Sequence, residues 1–398
     1  MLNKTGLLIL SLSFLLMGCN GEYSIDNEEY NPGTDEESAT ETFSTQYERI
    51  NLEKIAGPFE RPWSVAFLPD QRILVTEKPG RLNIVNPDGS VEEVTGIPEV
   101  SARGQGGLLE VLPHYNYEEN RWIYLTYSKP DGNDDVETVT ALVRGRLDES
   151  NAFIDIEEIF EQNMYSSPGR HYGSKLAWTN DGKLLMSIGD RGADPPRAQA
   201  TDDHAGTLLR LNDDGTVPED NPFVDDPDVL NEIYTYGHRN IQGLVVDPET
   251  GDIWSTEHGP RGGDELNKHY PGENYGWPTV TLGLDYRTEG QFPGSEARSM
   301  EGMVDPVYEF LPTHAPSGLA MITSDHFPAW EGNLLAGGLR SERIRRLLIY
   351  DNEVIHDEEL LLGEIGRIRD VRVGPDGNIY VVNDESEGAL YRITRDDD

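Results

Sequence analysis

Six times along the chain an apolar segment runs into a Pro/Asp/Gly-rich turn and leaves it as a strand of alternating polarity. The copies read VAFLPDQRILVTE from Val65, VLPHYNYEENRWIYLTYS from Val111, LAWTNDGKLLMSIGD from Leu176, LVVDPETGDIWSTE from Leu244, SDHFPAWEGNLLAGG from Ser324 and VRVGPDGNIYVVND from Val371. The turn residues supply the positive-φ positions of a tight hairpin, and alternation in the strand that follows turns one face inward. Each copy therefore predicts two adjacent antiparallel strands. Successive copies start about 45 to 80 residues apart, which leaves room for two further strands and loops of variable length in each. No long amphipathic helical segment competes with this pattern. It predicts an all-β chain folded as a six-bladed β-propeller; the irregular spacing leaves a large β-sandwich with coincidental turns as the alternative.

Ahead of the first copy the pattern changes. The stretch MLNKTGLLILSLSFLLMGC has one basic residue, Lys4, then an apolar run over residues 7–17 that is short for a membrane span and shaped like a secretory leader. It ends in LMGC, which resembles a bacterial lipobox in which Cys19, the only cysteine of the chain, becomes the lipidated first residue. An ordinary leader with an incidental cysteine is the other reading. Residues 1–19 are thus expected to be a lipoprotein-type signal peptide, residues 20–47 an acidic flexible tether, and residues 48–398 the folded body. The expected location is the periplasm or cell surface, with membrane contact only through Cys19.

Composition narrows the partners. Asp plus Glu outnumber Lys plus Arg 73 to 32 across 398 residues, for a net charge of -41. Such a surface repels phosphate backbones and argues against nucleic acid. Spread along the whole chain, the carboxylates suggest a solvated acidic surface suited to a salty habitat. The 41 glycines and 25 prolines favour turns over helices, in keeping with the strand pattern.

The residues with chemistry gather at comparable places in the copies. Just before a copy's first strand stand Gln105, His171, Arg239 with Asn240 and Gln242, His314 with Ser317, and Arg367, Arg369 and Asp370. After a second strand comes STEHGPRGGDELN, which packs three glycines, a proline and three carboxylates into a stretch suited to neither helix nor strand interior. Equivalent positions in propeller blades face the same end of the channel, so these segments should converge. Arginines fork onto planar carboxylates, so the set suits a ligand carrying several carboxylates and carbonyl oxygens.

The segments RPWSVAFLPD, GQGGLLEV, HYGSKLAW, YGHRNIQGL, EHGPRGGDE, NYGWP, APSGLA and GRIRDV, in this order, resemble the pyrroloquinoline quinone (PQQ) dependent soluble aldose sugar dehydrogenases of the glucose/sorbosone dehydrogenase family, over residues 51–394. The resemblance implies a six-bladed propeller that oxidises the anomeric carbon of aldoses to lactones and passes electrons through PQQ to a quinone or cytochrome acceptor rather than to NAD or oxygen. It makes His171 the general base and places Arg239 by the quinone oxygen, with Gln105, Asn240, Arg340, Arg367 and Arg369 as further PQQ contacts. Gly259 and Pro260 would offer main-chain carbonyls to the Ca²⁺ that binds PQQ, a hard cation that takes oxygen ligands. Glu265, Tyr275 and Asp285 match the positions of a second, structural Ca²⁺.

Two positions depart from the glucose dehydrogenases: Arg340 stands where they carry lysine, and Arg170, beside the base, where they carry aspartate. Broad aldose specificity, rather than glucose preference, follows. Two other classes are a calcium-dependent propeller lactonase, which would hold its ion with channel carboxylates, and a non-catalytic binding propeller, which would lose the base or the arginines. From the leader, Cys19→Ser is expected to release the chain from the membrane fraction or to block its processing, read by cell fractionation and acyl labelling. A wild-type chain found wholly soluble and unacylated would refute the anchor.

Overall fold

The computed structural model describes residues 40–133 and 136–396. The predicted leader with Cys19, and the tether up to residue 39, lie outside the described residues. Five four-stranded antiparallel sheets follow one another along the chain, and a sixth sheet has five strands. Their first strands, Pro62–Phe67, Leu108–Pro113, Leu176–Trp178, Ile241–Val246, Pro316–Met321 and Ile368–Val373, touch one another in sequence and close a ring, the last against the first. This is a six-bladed propeller, and a two-sheet sandwich is excluded. Five of the six hairpins predicted from the sequence are the inner halves of blades; in the copy from Ser324 only Leu334–Gly338 is a strand, and its inner partner is Pro316–Met321, ahead of the predicted segment.

Alternation along the strands has a different meaning from the one expected. In Ile73–Glu77 every residue is buried, because a blade is covered on both faces by its neighbours. Leu74 joins the apolar cluster with the second blade, whereas Ile73 and Val75 join the cluster with the sixth. In the third blade Leu184 and Met186 face the second blade while Leu185 faces the fourth. The period of two assigns each side chain to one neighbour or the other.

The ring is closed by the start of the chain. Arg49–Phe59 pairs with Gly388–Arg395 as the fourth strand, counted outward, of the sixth blade. Among the described residues Glu41–Ser44, in the stretch read as tether, pairs with Arg49–Phe59, so strand pairing reaches ahead of the expected boundary near Glu48. The four-residue strand is short and mostly exposed, and its register comes from its partner rather than from an apolar pattern of its own.

Lys175, Glu110 and Asp370 are buried among the inner strands, and the partly buried Arg372 joins them. Lys175 Nζ lies 2.9 Å from both Glu110 Oε2 and Asp370 Oδ1. Arg372 Nε donates to Asp370 Oδ2 at 2.9 Å, and its Nη2 donates to Glu110 Oε1. Ser64 Oγ donates to Glu110 at 2.8 Å, so the network joins the first, second, third and sixth blades. Burial raises the Asp370 carboxyl, but Arg372 and Lys175 more than offset it and hold the group below its usual range. Asp370 had been grouped with the site residues; strand alternation instead turns it into the channel, away from Arg369. Lys175→Met would leave two buried carboxylates to one arginine. Such a break is expected to cost about 3–5 kcal/mol, measured by urea unfolding, and a loss below about 1 kcal/mol would show that the network does not hold the ring.

Candidate active site

At one end of the channel a cavity of about 320 Å³ is lined by loop residues from five blades. They come from the starts of first strands (Arg61, Gln105, Asn240, Ala315, Arg367) and from the ends of second strands (Lys78, His258, Leu339, Asp384). The convergence expected from equivalent positions is therefore present. Trp63, Gln242 and Arg369 complete the wall.

The wall is electrostatically unbalanced. Arg367 Nη2 and Arg369 Nη2 converge on Asp384 Oδ2 at 3.0 and 2.9 Å, and Arg61 Nη1 reaches Asp384 Oδ1 at 3.3 Å. Burial raises Asp384, yet Arg369 and Arg367 hold it down at about 2. One carboxylate thus faces three arginines and Lys78, which burial, Arg369, Arg61 and Arg367 together hold below the usual lysine range. Two nearby guanidinium nitrogens, Nε of Arg239 and of Arg369, are buried without a hydrogen-bond acceptor. Orphaned cationic donors around a cavity are costly unless an anion is bound there.

Behind this wall stands His171. Its backbone N–H donates to Gln105 Oε1 at 2.8 Å, and Gly173 N–H donates to Asn240 Oδ1 at 3.0 Å, so two cavity residues hold the segment. His171 adopts φ 52°, a left-handed conformation unusual for a residue with a side chain. It is held there by close packing: a Cβ added to Gly189 would fall 2.1 Å from the His171 carbonyl oxygen. His171 Nδ1 lies 2.6 Å from Asp190 Oδ1, and Trp277 Nε1–H donates to Asp190 Oδ2 at 2.8 Å. With Asp190 accepting from Nδ1–H, neutral His171 presents Nε2 as a free base. Burial, and then Arg239, hold the imidazole below its ordinary value. Asp190 is raised by burial but held down overall, chiefly by His171.

Arg239 packs its guanidinium 5.3 Å from the Trp277 ring and donates from Nη1 to the His258 carbonyl at 3.1 Å. Beneath it Glu257 accepts the backbone N–H groups of Arg239 and Asn240 and bonds His238 Nδ1 at 2.9 Å. Arg340 is exposed and lies outside the cavity wall, one residue beyond Leu339. His314 and Ser317 are structural: His314 Nδ1 meets Ser341 Oγ at 2.6 Å, and Ser317 Oγ donates to the Ile368 carbonyl at 2.7 Å.

The glycine-rich loop is held by Asp264, whose two oxygens accept Gly259 N–H at 3.1 Å and the N–H groups of His314 and Ala315 at 2.9 and 2.8 Å. Only glycine fits at 259, where a Cβ would meet the carbonyl oxygens of Gly262 and Gly263 at 2.2 Å. Gly259 and Pro260 are buried, and their carbonyls accept no hydrogen bond from the described residues. Two such oxygens fit a hard cation. Tyr275 donates to the Lys268 carbonyl at 2.6 Å, three residues along the strand from Glu265, which is about 10 Å. Asp285 closes its own turn on the N–H groups of Arg287 and Thr288. Glu265 lies instead opposite Glu257 in the ladder, and burial raises both carboxyls.

The glucose/sorbosone dehydrogenase family model matches residues 59–392. The chain belongs to this family of sugar oxidoreductases. It is 37% identical to the aldose sugar dehydrogenase YliI of Escherichia coli over 348 residues, covering 87% of this chain and 93% of that one. It is 28% identical to quinoprotein glucose dehydrogenase B of Acinetobacter calcoaceticus, covering 87% of each. The PQQ-bound aldose sugar dehydrogenase of Streptomyces coelicolor superposes with a TM-score of 0.71 at 26% identity, over 87% of this chain and 98% of that one.

Sequence reasoning missed Asp190, Lys78, Asp384 and Trp277. The first three directly follow or nearly follow second strands, as the EHGPRGG loop does, and applying that rule to every copy would have found them. The pair makes a prediction about protonation. His171 is expected to titrate below 6.5, so the base stays neutral on the acid side of that value. Asp190→Asn removes the carboxylate that favours the imidazolium and should lower the His171 value further, read by NMR of ring-labelled histidine. An unchanged titration would detach Asp190 from the base.

Proposed function

We propose that this chain oxidises the anomeric carbon of aldose sugars to lactones, with PQQ and Ca²⁺ as resident groups and a quinone or cytochrome as electron acceptor. The observation that carries the reading is the His171–Asp190 pair held against a cavity whose cations outnumber its carboxylate. Arg61, Lys78, Arg367 and Arg369 would hold the PQQ carboxylates, with Gln105 and Asn240 bordering the cofactor, and the Gly259 and Pro260 carbonyls would hold Ca²⁺. When bound, the Ca²⁺-polarised quinone supplies the acceptor for hydride from sugar C1.

The chain's own residues account for the rest. His171 Nε2 takes the proton of the anomeric hydroxyl, while Asp190 fixes the tautomer and stabilises the imidazolium that forms. One hydride and one proton are the two hydrogens lost when a cyclic hemiacetal becomes a lactone. Arg239, within electrostatic reach of both His171 and Asp190, stabilises negative charge that develops across the pocket. A lactonase reading is disfavoured by the channel carboxylates, since Glu110 and Asp370 are already neutralised by Lys175 and Arg372. Anchorage at Cys19 would suit an enzyme whose acceptor is a membrane quinone.

The full chain loaded with PQQ and Ca²⁺ is expected to reduce a dye with a panel of aldoses and to give no activity with NAD; activity indifferent to PQQ overturns the proposal. His171→Ala should lower kcat by about 10² to 10⁴-fold while the absorbance titration with PQQ changes little. Arg369→Ala should weaken PQQ binding first, because it leaves a carboxylate unpaired in a partly buried site.

A further inference from the structure

In so acidic a chain most described arginines pair with a carboxylate. Among the described residues Arg103, Arg170, Arg191, Arg239 and Arg340 form no ion pair, and all five lie in or beside the active-site segments; Arg121 and Arg287 are the others. Arg191 is fully buried, stacked 3.6 Å from the Tyr172 ring, and donates to the Arg170 and Pro168 carbonyls, so it braces the backbone that leads into His171. Arg239 serves the reaction as described, and Arg340 lies by the cofactor wall.

Arg103 and Arg170 remain, and both are exposed. Arg170 directly precedes His171, and its Nη2 is held only by the Gly192 carbonyl at 2.6 Å, a neutral acceptor that a carboxylate would displace. Arg103 packs against the same segment, its Nε 3.4 Å from where a Cβ on Gly169 would stand, and it lies two residues before the Gln105 that holds the His171 amide. Arg170 is close enough to bear on the imidazole. In a pyranose the carbon bearing C6 is joined to C1 through the ring oxygen, so a sugar placed with its C1 hydroxyl on His171 carries C6 near that base. We infer that Arg170 and Arg103 form an anion subsite for the C6 carboxylate, and that the preferred substrates are uronic acids and other acidic aldoses.

This rests on the aldose-oxidation reading, and the bond oxidised is the same. The holoenzyme is assayed with glucuronate and glucose, and kcat/KM is taken as a ratio so that differences in folding and cofactor loading cancel. The expected ratio favours glucuronate. Arg170→Ala should lower it by about tenfold or more, the scale of one charge-assisted hydrogen bond, and Arg170→Lys should retain part of it. Methyl glucuronoside, blocked at C1, should bind the holoenzyme more tightly than methyl glucoside by calorimetry, and that difference should shrink in Arg170→Ala and Arg103→Ala. A ratio favouring glucose, or one unchanged by Arg170→Ala, overturns the subsite while leaving aldose oxidation standing. Failure to oxidise any sugar overturns both.

Discussion

The buried ion network of Lys175, Arg372, Glu110 and Asp370 is the constraint on which the rest of the molecule depends. A propeller brings six inner strands together around its channel, and here two cations and two anions from three blades pair among them, with Ser64 joining a fourth blade. Because the charges match in number, the network is neutral and needs no ligand. Just beyond it Trp63 lies 4.6 Å from Lys175 and also lines the cavity, 6.0 Å from Arg369. On that side the balance is broken, with three arginines and a lysine meeting one aspartate. Matched charge lies among the inner strands, and unmatched charge lines the cavity beside it.

That contrast follows from strand alternation. Arg369 and Asp370 are adjacent on one strand, yet they serve the cavity and the channel respectively, because successive side chains leave a strand on opposite sides. The sequence pattern located the strand and its end of the channel, and it could not separate the two neighbours without knowing the register. The residues matched to a second calcium are likewise placed only by the structure. Glu265, Tyr275 and Asp285 carry suitable oxygens, but Tyr275 is tied to a carbonyl three residues further along the strand from Glu265.

Much of the architecture was legible because blades repeat. The hairpins VAFLPDQRILVTE and VRVGPDGNIYVVND are inner strand pairs, and their turns carry enough Gly, Pro and Asp to be seen without a partner. The closure was not legible. Arg49–Phe59 pairs with the end of the chain, and Glu41–Ser44 is mostly exposed, so neither pairing leaves a local trace. Within the site, motif-borne residues such as His171 and Arg369 could be named, whereas Asp190 sits in a plain Gly-Asp step and gains meaning only when its carboxylate is seen on the imidazole.

The site's cations also have to be set against the charge of the whole chain. A net charge of -41 repels an approaching anion at long range, while salt shrinks that repulsion to about 8 Å at physiological strength. Inside the mouth the guanidiniums act at contact distance in a partly desolvated setting, where screening is weak. An acidic ligand is therefore opposed during approach and favoured on arrival, and added salt relieves the first effect more than it weakens the second.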